Sequence, residues 1–504
     1  MMLASRSFRP LVGASVLSLA LAACAPIPDL GQKPVPRTPT SVEASSSLPS
    51  SAAAWPGDGW WTGYGDAQLT ALIDEGLRNS PDVAVAAARF RAASAYQQQA
   101  GAALLPTLDG EAGAGVTKQS YNNGFPSAFV PHGWLGTGRA ALDLAFDLDL
   151  WGKNRAALAA ATSESRAAQI DAQQARLALT TGIADAYADL ARLYEQRDIQ
   201  QHALDLRLAS QKLVFDRERN GLDTRGSVRQ ADATASTARA NVTAANEAIV
   251  LRQNQIAALI GAGPDRGLSI ARPQTRALVQ LGLPDGVTTD LIGRRPDIAA
   301  ARERTEAAAS RIKVARADFF PALRLGALVG FQSLGYTSVF TGAGSSGGAT
   351  PFIDTLFKQG SIYGNAGPAI SLPIFHGGAI QGQYRGARAT YDEAVANYDK
   401  TVIAAYREVA DAVTSRDALA RQLTDARAAL ASSEEAYSIA QKRYNGGLSP
   451  YLDVLTVEDR LLTARQSVAT LNARAFALDI ALIRALGGGF TVTAAHLSKD
   501  VPHG

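Results

Sequence analysis

Apolar residues recur at alternating spacings of three and four along two long stretches of this chain. In the final stretch they are Val454, Val457, Leu461, Ala464, Val468, Leu471, Ala475, Leu478, Leu482 and Ala485. The stretch before it keeps the same spacing from Val395 to Tyr444. Such a heptad pattern is typical of long helices packed side by side. It predicts a long helix over 379–445 and a return helix over 449–486.

An equally long helical pair is predicted earlier in the chain, over 153–219 and 225–260. No proline interrupts the first of these two ranges, and Asn220-Gly221 follows it as a helix stop signal. A helix of that length extends for about 100 Å, which is more than a compact globular domain needs. Shorter helices are predicted ahead of each pair, at 65–79, 81–103, 287–294 and 296–317.

A different pattern, with a period of two, occupies positions 142–150. Large apolar residues fill the even positions, and aspartate or alanine fills the odd ones. This alternation predicts a β-strand, because successive side chains of a strand point to opposite faces. One face would carry the carboxylates Asp143, Asp147 and Asp149. The opposite face would carry Leu142, Leu144, Phe146 and Leu148. A soluble sheet shows the same alternation, so the pattern alone does not decide what covers the apolar face.

The chain contains one arrangement of motifs twice. Ser80-Pro81-Asp82-Val83 returns as Arg295-Pro296-Asp297-Ile298, and Arg217–Leu222 (RERNGL) returns as Arg443–Leu448 (RYNGGL). Each copy has the same order: short helices, a strand pair, a long helix and a return helix. The repeat therefore predicts two strand pairs, at 107–150 and 322–374, with strands at 107–120, 138–150, 322–334 and 361–374.

These patterns divide the chain into a first repeat at 58–270, a second repeat at 271–489 and a C-terminal tail at 490–504. The spacing between the two copies grows between 321 and 372, where the glycine-rich segment 342–348 lies. We interpret that segment as a solvated loop inserted in the second strand pair. Four strands are too few to enclose a lumen, so a barrel without open edges would have to combine several chains.

The first 23 residues have the features of a signal peptide. Arg6 and Arg9 precede the apolar run 11–20, and Leu21-Ala22-Ala23-Cys24 follows it. Small residues before a cysteine are typical of a bacterial lipobox, so we expect cleavage before Cys24 and acylation of its thiol. Ala25, rather than aspartate, follows the cysteine and favours the outer membrane. The Pro/Ser-rich segment 24–57 is predicted to be a tether without regular structure.

Composition argues against several other classes of protein. The 49 basic and 46 acidic residues nearly balance, which is unlike a protein that grips nucleic acid. The five histidines show no HExxH spacing, and a single cysteine supports neither a disulfide nor a cysteine zinc site. No GK[ST] follows the glycine-rich segment, so a phosphate-binding loop is not indicated. We predict no catalytic residue, no metal site, no cofactor and no nucleic-acid partner.

Six motifs, in this order, resemble the TolC/OprM outer membrane efflux factor family, in its NodT-like lipoprotein branch. They are the lipobox LAAC, RPD at 295–297, FFP at 319–321, SLPIFHGG at 371–378, RYNGGLSPYLDVL at 443–455 and ALGGGF at 485–490. The resemblance implies a mixed α+β membrane protein, mostly α. It also implies a homotrimer in which each protomer gives four strands to a twelve-stranded β-barrel and its long helices to a periplasmic α-helical barrel. In such a barrel we expect Asp143, Asp147 and Asp149 to face the lumen or the junction of the two barrels, and the apolar face of the same strand to meet lipid.

The resemblance further implies partners and a function. Members are exit ducts of tripartite pumps, with a periplasmic adaptor and an inner membrane transporter, here expected to be of the RND type. The chain would be lipid-anchored in the outer membrane of a Gram-negative bacterium and would pass drugs or other small molecules. Three alternatives remain: a protein-secretion duct of the same family, a lipid-anchored structural coiled coil, and a surface-anchored hydrolase, which would need a nucleophile beside a base.

Two candidate sites lie at the tips of the helical hairpins. Glycines there permit a tight reversal, and a neighbouring leucine offers an apolar contact to another helical tip. The predicted adaptor-docking residues are Gly221, Leu222, Gly446, Gly447 and Leu448. The alternative interpretation is that these segments are only turns that reverse the chain and bind no partner.

The resemblance also implies a periplasmic gate, formed by Leu452, Asp453, Thr456, Arg443 and Tyr444. Val454 and Leu455 are expected to pack into the helical wall, which turns Leu452, Asp453 and Thr456 to other faces. Thr456 stands where the family usually has aspartate, so either Asp453 or Leu452 would form the constriction. Arg443 and Tyr444 would hold the closed state by bonding to a carboxylate. The alternative is that Leu452 packs in the seam and Asp453 is a solvated charge at the helix start.

Overall fold

The computed structural model describes residues 27–44, 46–48, 53–124, 126, 130, 132–274, 283–335 and 351–491. The signal peptide, Cys24, the glycine-rich segment 342–348 and the end of the tail lie outside the described residues. The helices are α1 (Ala67–Asn79), α2 (Pro81–Ala102), α3 (Lys153–Arg219), α4 (Arg225–Leu259), α5 (Pro264–Leu268), α6 (Val287–Arg294), α7 (Pro296–Ala317), α8 (Phe352–Leu356), α9 (Ala379–Asn445) and α10 (Tyr451–Ala485). The strands are β1 (Thr107–Thr117), β2 (Leu135–Asp147), β3 (Ala322–Ser333) and β4 (Ile362–Ser371).

The lengths of the helices confirm the internal repeat. Helices α2 and α7 each have 22 residues, α3 and α9 each have 67, and α4 and α10 each have 35. The predicted bounds of the long helices are confirmed, and the other main helices agree within about two residues, the usual uncertainty of helix ends. Within the ranges that the structure describes, no helix combines the length and the apolarity needed to cross a membrane.

The strands differ more from their predicted ranges. Strand β2 ends at Asp147, so the prediction that Asp149 continues the strand is wrong. Asp149 has φ 46° and turns the chain into α3. Its carboxylate accepts hydrogen bonds from the amides of Asn154 (2.8 Å) and Arg155 (3.0 Å). An acidic side chain at a helix start accepts hydrogen bonds from amides that have no partner within the helix. At Asp149 these bonds determine the backbone conformation, although its position fits the alternation of a strand.

The described residues form two compact units. The first comprises Ala93–Ser165 and Arg304–Ala394 with the chain up to Pro34. It contains one antiparallel sheet in the order β1-β2-β3-β4. Its register pairs Asp109 with Asp143, Leu142 with Val329, and Leu325 with Pro368. The sheet thus joins the strand pair of the first repeat directly to that of the second.

The second unit comprises Val35–Ala92, Arg166–Glu303 and the chain from Val395 onward. Two hydrophobic cores repeat within it, each formed by a short helix against a long one. In the first core, Leu69, Leu72 and Ile73 of α1 meet Ile183 and Tyr187 of α3. In the second core, Val287 and Leu291 of α6 meet Val402 and Val409 of α9. Every seam position predicted from Val395 to Tyr444 and from Val454 to Ala485 is buried or half-buried.

The segment predicted to be a structureless tether lies in contact with α9. It has one short 3-10 turn at Pro39–Ser41, and its other described residues form no helix and no strand. In the first unit, Tyr391 donates its hydroxyl to the carbonyl of Pro34 (3.0 Å). In the second unit, the Arg37 amide donates to Asp399 Oδ1 (2.9 Å). A proline-rich backbone has unpaired carbonyls, and long polar side chains of an adjacent helix hydrogen-bond to them.

Two motifs of the second repeat have a structural role. The Arg295 side chain is buried, and its Nη1 donates to Glu408 Oε2 (2.7 Å) and to the carbonyl of Ala485 (3.2 Å). Gly487 follows with φ 89°, and a Cβ there would lie 1.9 Å from the carbonyl oxygen of Arg294. Only glycine permits this approach, so the RPD and GGG segments are explained by their mutual packing.

Candidate gate and docking site at the hairpin tips

The two hairpins end in turns with the same backbone. Gly221 has φ 73° and Gly447 has φ 71°. The amide of Leu222 donates to the carbonyl of Arg217, and the amide of Leu448 donates to that of Arg443, both at 2.8 Å. This is the hydrogen bonding of a helix that ends in a left-handed glycine. The sequence pattern N-G-L and G-G-L therefore encodes one turn geometry in both repeats.

The predicted docking residues project from these turns. Leu222 is 66% exposed and Leu448 is 74% exposed. A Cβ at Gly221 or Gly447 would have no heavy atom within 4 Å. Gly446 is also exposed, next to Gly447 in the second turn. Each tip thus presents an isolated apolar side chain on a rigid reversal, with open space around it.

The start of α10 shows the arrangement of faces that the sequence predicts. Val454 and Leu455 are buried, whereas Leu452, Asp453 and Thr456 are exposed. The Thr456 hydroxyl donates to the carbonyl of Leu452 (2.9 Å) within its own helix. Leu452 is therefore not part of the helical seam in this chain. The predicted division into buried and exposed positions is therefore present in the structure. The role of the three exposed residues in a gate stays a prediction.

One contact joins the two tips, and we name it the tip contact: Tyr444, Asp223 and Arg217. The buried Tyr444 donates its hydroxyl to Asp223 Oδ2 (3.0 Å). The Arg217 guanidinium lies over the Tyr444 ring, 4.8 Å from its centroid. Arg217 Nε is 3.8 Å from Asp223 Oδ2. A carboxylate, a phenol and a cation thus meet between the first hairpin and the second.

The electrostatics of the tip contact favour a charged Asp223. Burial alone would raise the pKa of Asp223, but hydrogen bonds from Ser227, the Thr224 amide and Tyr444, with the charge of Arg217, bring it below its usual value. Burial raises the pKa of the Tyr444 hydroxyl, and its bond to Asp223 raises that pKa further. At neutral pH the phenol is therefore a neutral donor and the carboxylate a charged acceptor.

The gating role predicted for Arg443 stays a prediction, since no contact within one protomer supports it. Its side chain is exposed, and it makes no ion pair with any residue that the structure describes. Arg217, at the equivalent position of the first repeat, contacts Tyr444 instead. Adjacent helical positions face different directions, so Arg443 cannot point the same way as the buried Tyr444.

A second polar contact lies further from the turns and was not predicted. Glu458 of α10 is fully buried, and its Oε1 accepts from Arg207 Nε of α3 (3.1 Å). The sequence contains a signal for it: Glu458 lies three residues after Leu455 and three before Leu461, on the face that both leucines bury. A charged residue on that face requires a partner.

In the sheet, the carboxylates Asp143 and Asp147 share one face, as the alternation predicts. Asp143 lies opposite Asp109 of β1, and Asp147 lies opposite Arg324 of β3. Asp149 does not join them, because it caps α3 instead. Among the described residues, no group of histidine, cysteine, aspartate or glutamate side chains has the arrangement of a metal site.

Comparison with known proteins identifies the family. The model of the family described as outer membrane efflux protein matches residues 72–262 and 287–488. These segments fall within the two repeats and cover most of the chain. The chain therefore belongs to the outer membrane efflux protein family, and the fold implied by the six motifs is confirmed.

Individual relatives agree with this assignment. The crystal structure of the outer membrane protein VceC from Vibrio cholerae has a TM-score of 0.78 and 43% identity, covering 86% of this chain and all of VceC. The toluene efflux pump outer membrane protein TtgF of Pseudomonas putida is 29% identical over 487 residues, 94% of this chain and 96% of TtgF. The fusaric acid resistance protein FusA of Burkholderia cepacia is 32% identical over 379 residues, 74% of this chain and 68% of FusA.

The chain is thus an outer membrane channel of a tripartite efflux pump. Such channels are homotrimers that work with a periplasmic adaptor and an inner membrane transporter. The predicted function, partners and location are confirmed at this level. The lipid anchor at Cys24 and the lipoprotein branch stay predictions.

Proposed function

We propose that this channel is a passive exit duct for small organic molecules, closed at rest at its hairpin tips and opened by a docking adaptor. In this proposal the chain catalyses no reaction, and the energy for transport comes from an inner membrane transporter of the RND type. The names of the relatives, which refer to fusaric acid and toluene, favour small molecules over secreted proteins.

The observation that carries the channel is the separation of charge between the two faces of the sheet. Paired residues of neighbouring strands share a face. By this register, the charged residues of the four strands all fall on one face: Asp109, Glu111, Arg139, Asp143, Asp147 and Arg324. The opposite face has no charge on any of the four strands, and its large side chains, such as Leu142 and Val329, are exposed in the protomer. We propose that this face meets lipid and that the charged face lines the lumen.

The test compares two adjacent positions of β2. Leu142 lies near the middle of the strand on the uncharged face, and Asp143 lies on the charged face. Leu142→Arg places a charge in lipid at a cost of about 2–4 kcal/mol per chain at the bilayer midplane, and a trimer carries it three times. We expect Leu142→Arg to block assembly of heat-modifiable trimers and Asp143→Asn to change only conductance. Equal tolerance of both variants would contradict the assignment of faces.

Phe146→Arg and Asp147→Asn form a second matched pair of the same design. Phe146 is the penultimate residue of β2, so the penalty there falls toward about 0–1 kcal/mol, the value near a membrane interface. We expect Phe146→Arg to impair assembly less than Leu142→Arg does, and Asp147→Asn to retune conductance. A stronger effect at Phe146 would contradict the proposed position of the lipid.

For the tips, we propose two roles. Leu452 and Asp453, exposed at the start of α10, narrow the periplasmic entrance, and Thr456 borders them. The turns with Gly221, Leu222, Gly446, Gly447 and Leu448 receive the tips of the adaptor. The tip contact supports the closed state, because it joins the first hairpin to the second beside the proposed constriction.

For the membrane anchor, we propose acylation of Cys24. The lipobox supports this, as does the path of residues 27–34, which contact α9 toward its N-terminal end. Cys24→Ser should abolish incorporation of labelled palmitate while trimers still insert, since the uncharged face of the sheet does not depend on the anchor. Persistent labelling of Cys24→Ser would rule out the lipobox.

A further inference from the structure

The contact between Arg207 and Glu458, which we name the upper contact, joins the same two hairpins as the tip contact. It lies farther from the turns than the tip contact does. Arg207 precedes Arg217 by ten residues of α3, which is about 15 Å along the helix axis. Arg207 Nε donates to Glu458 Oε1 (3.1 Å), and Arg207 Nη2 donates to Asp459 Oδ1 (2.6 Å). One guanidinium therefore joins the first hairpin to two adjacent carboxylates of the second.

The surroundings of Glu458 make this contact difficult to open. The Glu458 side chain is 0% exposed. It lies at the core of the tips, whose buried members are Val214, Ala231, Tyr437, Tyr444, Tyr451, Val454, Leu455 and Leu461. Its Oε2 has no hydrogen-bond partner among the described residues. A carboxylate in such a place depends on its one cation, because water cannot replace that cation without flooding the core.

The tip contact has a weaker and more exposed ion pair, although its Tyr444 belongs to the same buried core. Its ion pair is long, at 3.8 Å, and the side chains of Arg217 and Asp223 are 20% and 12% exposed. Water can therefore solvate Asp223 and Arg217 as soon as the two tips separate slightly. Under the same separating force, the tip contact breaks before the upper contact does.

We propose that Arg207 and Glu458 are positioning residues that act as the pivot of opening, confining the separation of the hairpins to the segment between them and the turns. This inference rests on the proposed gate at the tips. It assigns the moving part of each hairpin to residues 208–235 and 437–457, and the fixed part to the helices beyond Arg207 and Glu458.

The environment between the two contacts supports this assignment. The ring of Tyr451 lies 5.6 Å from the ring of Tyr444 in the tip contact. Burial raises the pKa of Glu458 against the opposing effect of Arg207. Burial, and then the charge of Glu458, raise the pKa values of Tyr437 on α9 and Tyr451 on α10. The charge at the pivot thus acts on both helices of the second hairpin.

The experiment combines a lesion in each contact. Tyr444→Phe removes the hydrogen bond of the tip contact. Arg207→Met with Glu458→Gln removes the two buried charges of the upper contact, and only the solvent-exposed Asp459 loses its partner. In planar bilayers, we expect the upper lesion alone to keep the conductance of the closed wild type. Added to Tyr444→Phe, it should raise conductance several-fold above Tyr444→Phe alone. No added effect would overturn the pivot, and so would opening by the upper lesion alone.

A second measurement does not depend on the channel being gated. Hydrogen–deuterium exchange of the Tyr444→Phe trimer should increase within 208–235 and 437–457 and remain at the wild-type level in the helices beyond Arg207 and Glu458. Increased exchange above an intact upper contact would overturn the pivot even if conductance shows no gate. If the upper double variant does not assemble, Arg207→Lys replaces it, because it keeps the charge but has one donor nitrogen in place of the separate Nε and Nη2 that reach the two carboxylates. It should extend the exchange upward in the Tyr444→Phe background.

Discussion

The tips of the two hairpins have one backbone and two different sets of side chains. Arg217, Gly221 and Leu222 of the first tip correspond to Arg443, Gly447 and Leu448 of the second, and both turns close with the same 2.8 Å hydrogen bond. Around this common frame, Glu218 corresponds to Tyr444 and Asp223 to Ser449. The first tip therefore supplies a carboxylate and the second a phenol.

This difference gives the contact between the tips a direction. Asp223 accepts from Tyr444, and Arg217 covers the Tyr444 ring. The reverse contact cannot form, because Ser449 has no negative charge and Glu218 has no donor for it. The two repeats share the glycine on which the turn depends. They differ at the two positions, Asp223 and Tyr444, whose side chains join the hairpins to each other.

A second corresponding pair, Asp232 and Glu458, shows the same divergence higher in the hairpins. Asp232 is partly exposed and accepts from Gln211 Nε2 (2.7 Å) and Arg229 Nη1 (3.2 Å). Glu458 is fully buried and depends on Arg207. The same chemical group is thus a solvated charge in one repeat and a buried ion pair in the other.

The largest expected effect tests whether the two tips are equivalent for the adaptor. Gly447→Trp and Gly221→Trp each place a bulky side chain in open space at a positive φ, with a backbone strain of about 1–2 kcal/mol. We expect folded trimers in the outer membrane and loss of efflux for Gly447→Trp, measured as drug sensitivity of cells. An equal loss for Gly221→Trp means that both tips dock.

Normal resistance of the Gly447→Trp variant would count against docking at the second tip. Loss of efflux for only one of the two variants would mean that the adaptor docks at one tip and not at the other, although the two turns have the same backbone. Heat-modifiable gel migration is the control, since it shows whether each variant still forms the trimer.

The next effect concerns the constriction, for which the first hairpin has no equivalent. Leu452 and Asp453 correspond to Gly226 and Ser227. We expect Leu452→Ala with Asp453→Ala to raise single-channel conductance by roughly two-fold or more, because an apolar and charged constriction is removed. Cells should also become sensitive to vancomycin. The matched control is Leu251→Ala with Glu247→Ala, an exposed pair on α4. Unchanged conductance in the assembled double variant would exclude these two residues from the constriction.

The comparison also shows what a sequence can predict in this fold. Helix ends and turns depend on local signals, so Asn220-Gly221 and Gly446-Gly447 marked both tips correctly. The seam from Val395 to Tyr444 was predictable because its spacing repeats over many turns. The charged face of the sheet followed from alternation, which the register preserves.

The remaining features depend on contacts between distant parts of the chain. Asp149 fits the strand pattern, but two helix amides bind its carboxylate. The contact of Arg217 with Tyr444 spans 227 positions, and no local pattern selects Arg217 over Arg443. The path of the proline-rich segment along α9 depends on donors such as Tyr391, whose direction the sequence does not reveal.

A smaller effect is expected from acid, acting through Asp223. Its pKa lies below the usual value in the folded protein, so its contribution to stability is complete above the unfolded pKa of about 3.9. The contribution is lost as pH falls through the lower, folded pKa. We expect wild-type conductance to stay constant between about pH 5 and 8 and to rise only below about pH 4. Asp223→Asn should show the raised conductance at every pH.

The acid response has a control in the same unit. Burial raises the pKa of Asp479 to about 6, with Arg416 opposing it. A conductance change centred near pH 6 would therefore point to a buried carboxyl, Asp479 or Glu458, rather than to the tip contact, and loss of the change in Asp479→Asn or in Glu458→Gln would identify which. A response that persists in Asp223→Asn would contradict the role of Asp223.

The smallest effect distinguishes the two corresponding arginines. Arg443→Ala removes an exposed side chain and should change stability by no more than about 0.5 kcal/mol. Arg217→Ala removes a cation that covers the Tyr444 ring and approaches Asp223, so we expect a loss of about 1 kcal/mol. The thermal midpoint of trimers in detergent measures both. Arg217→Lys should fall between the two, because an ammonium keeps the charge but cannot stack on the ring as a planar guanidinium does. Equal midpoints for Arg217→Ala and Arg443→Ala would mean that the two tips are energetically equivalent and that the directed contact between them does not hold them together.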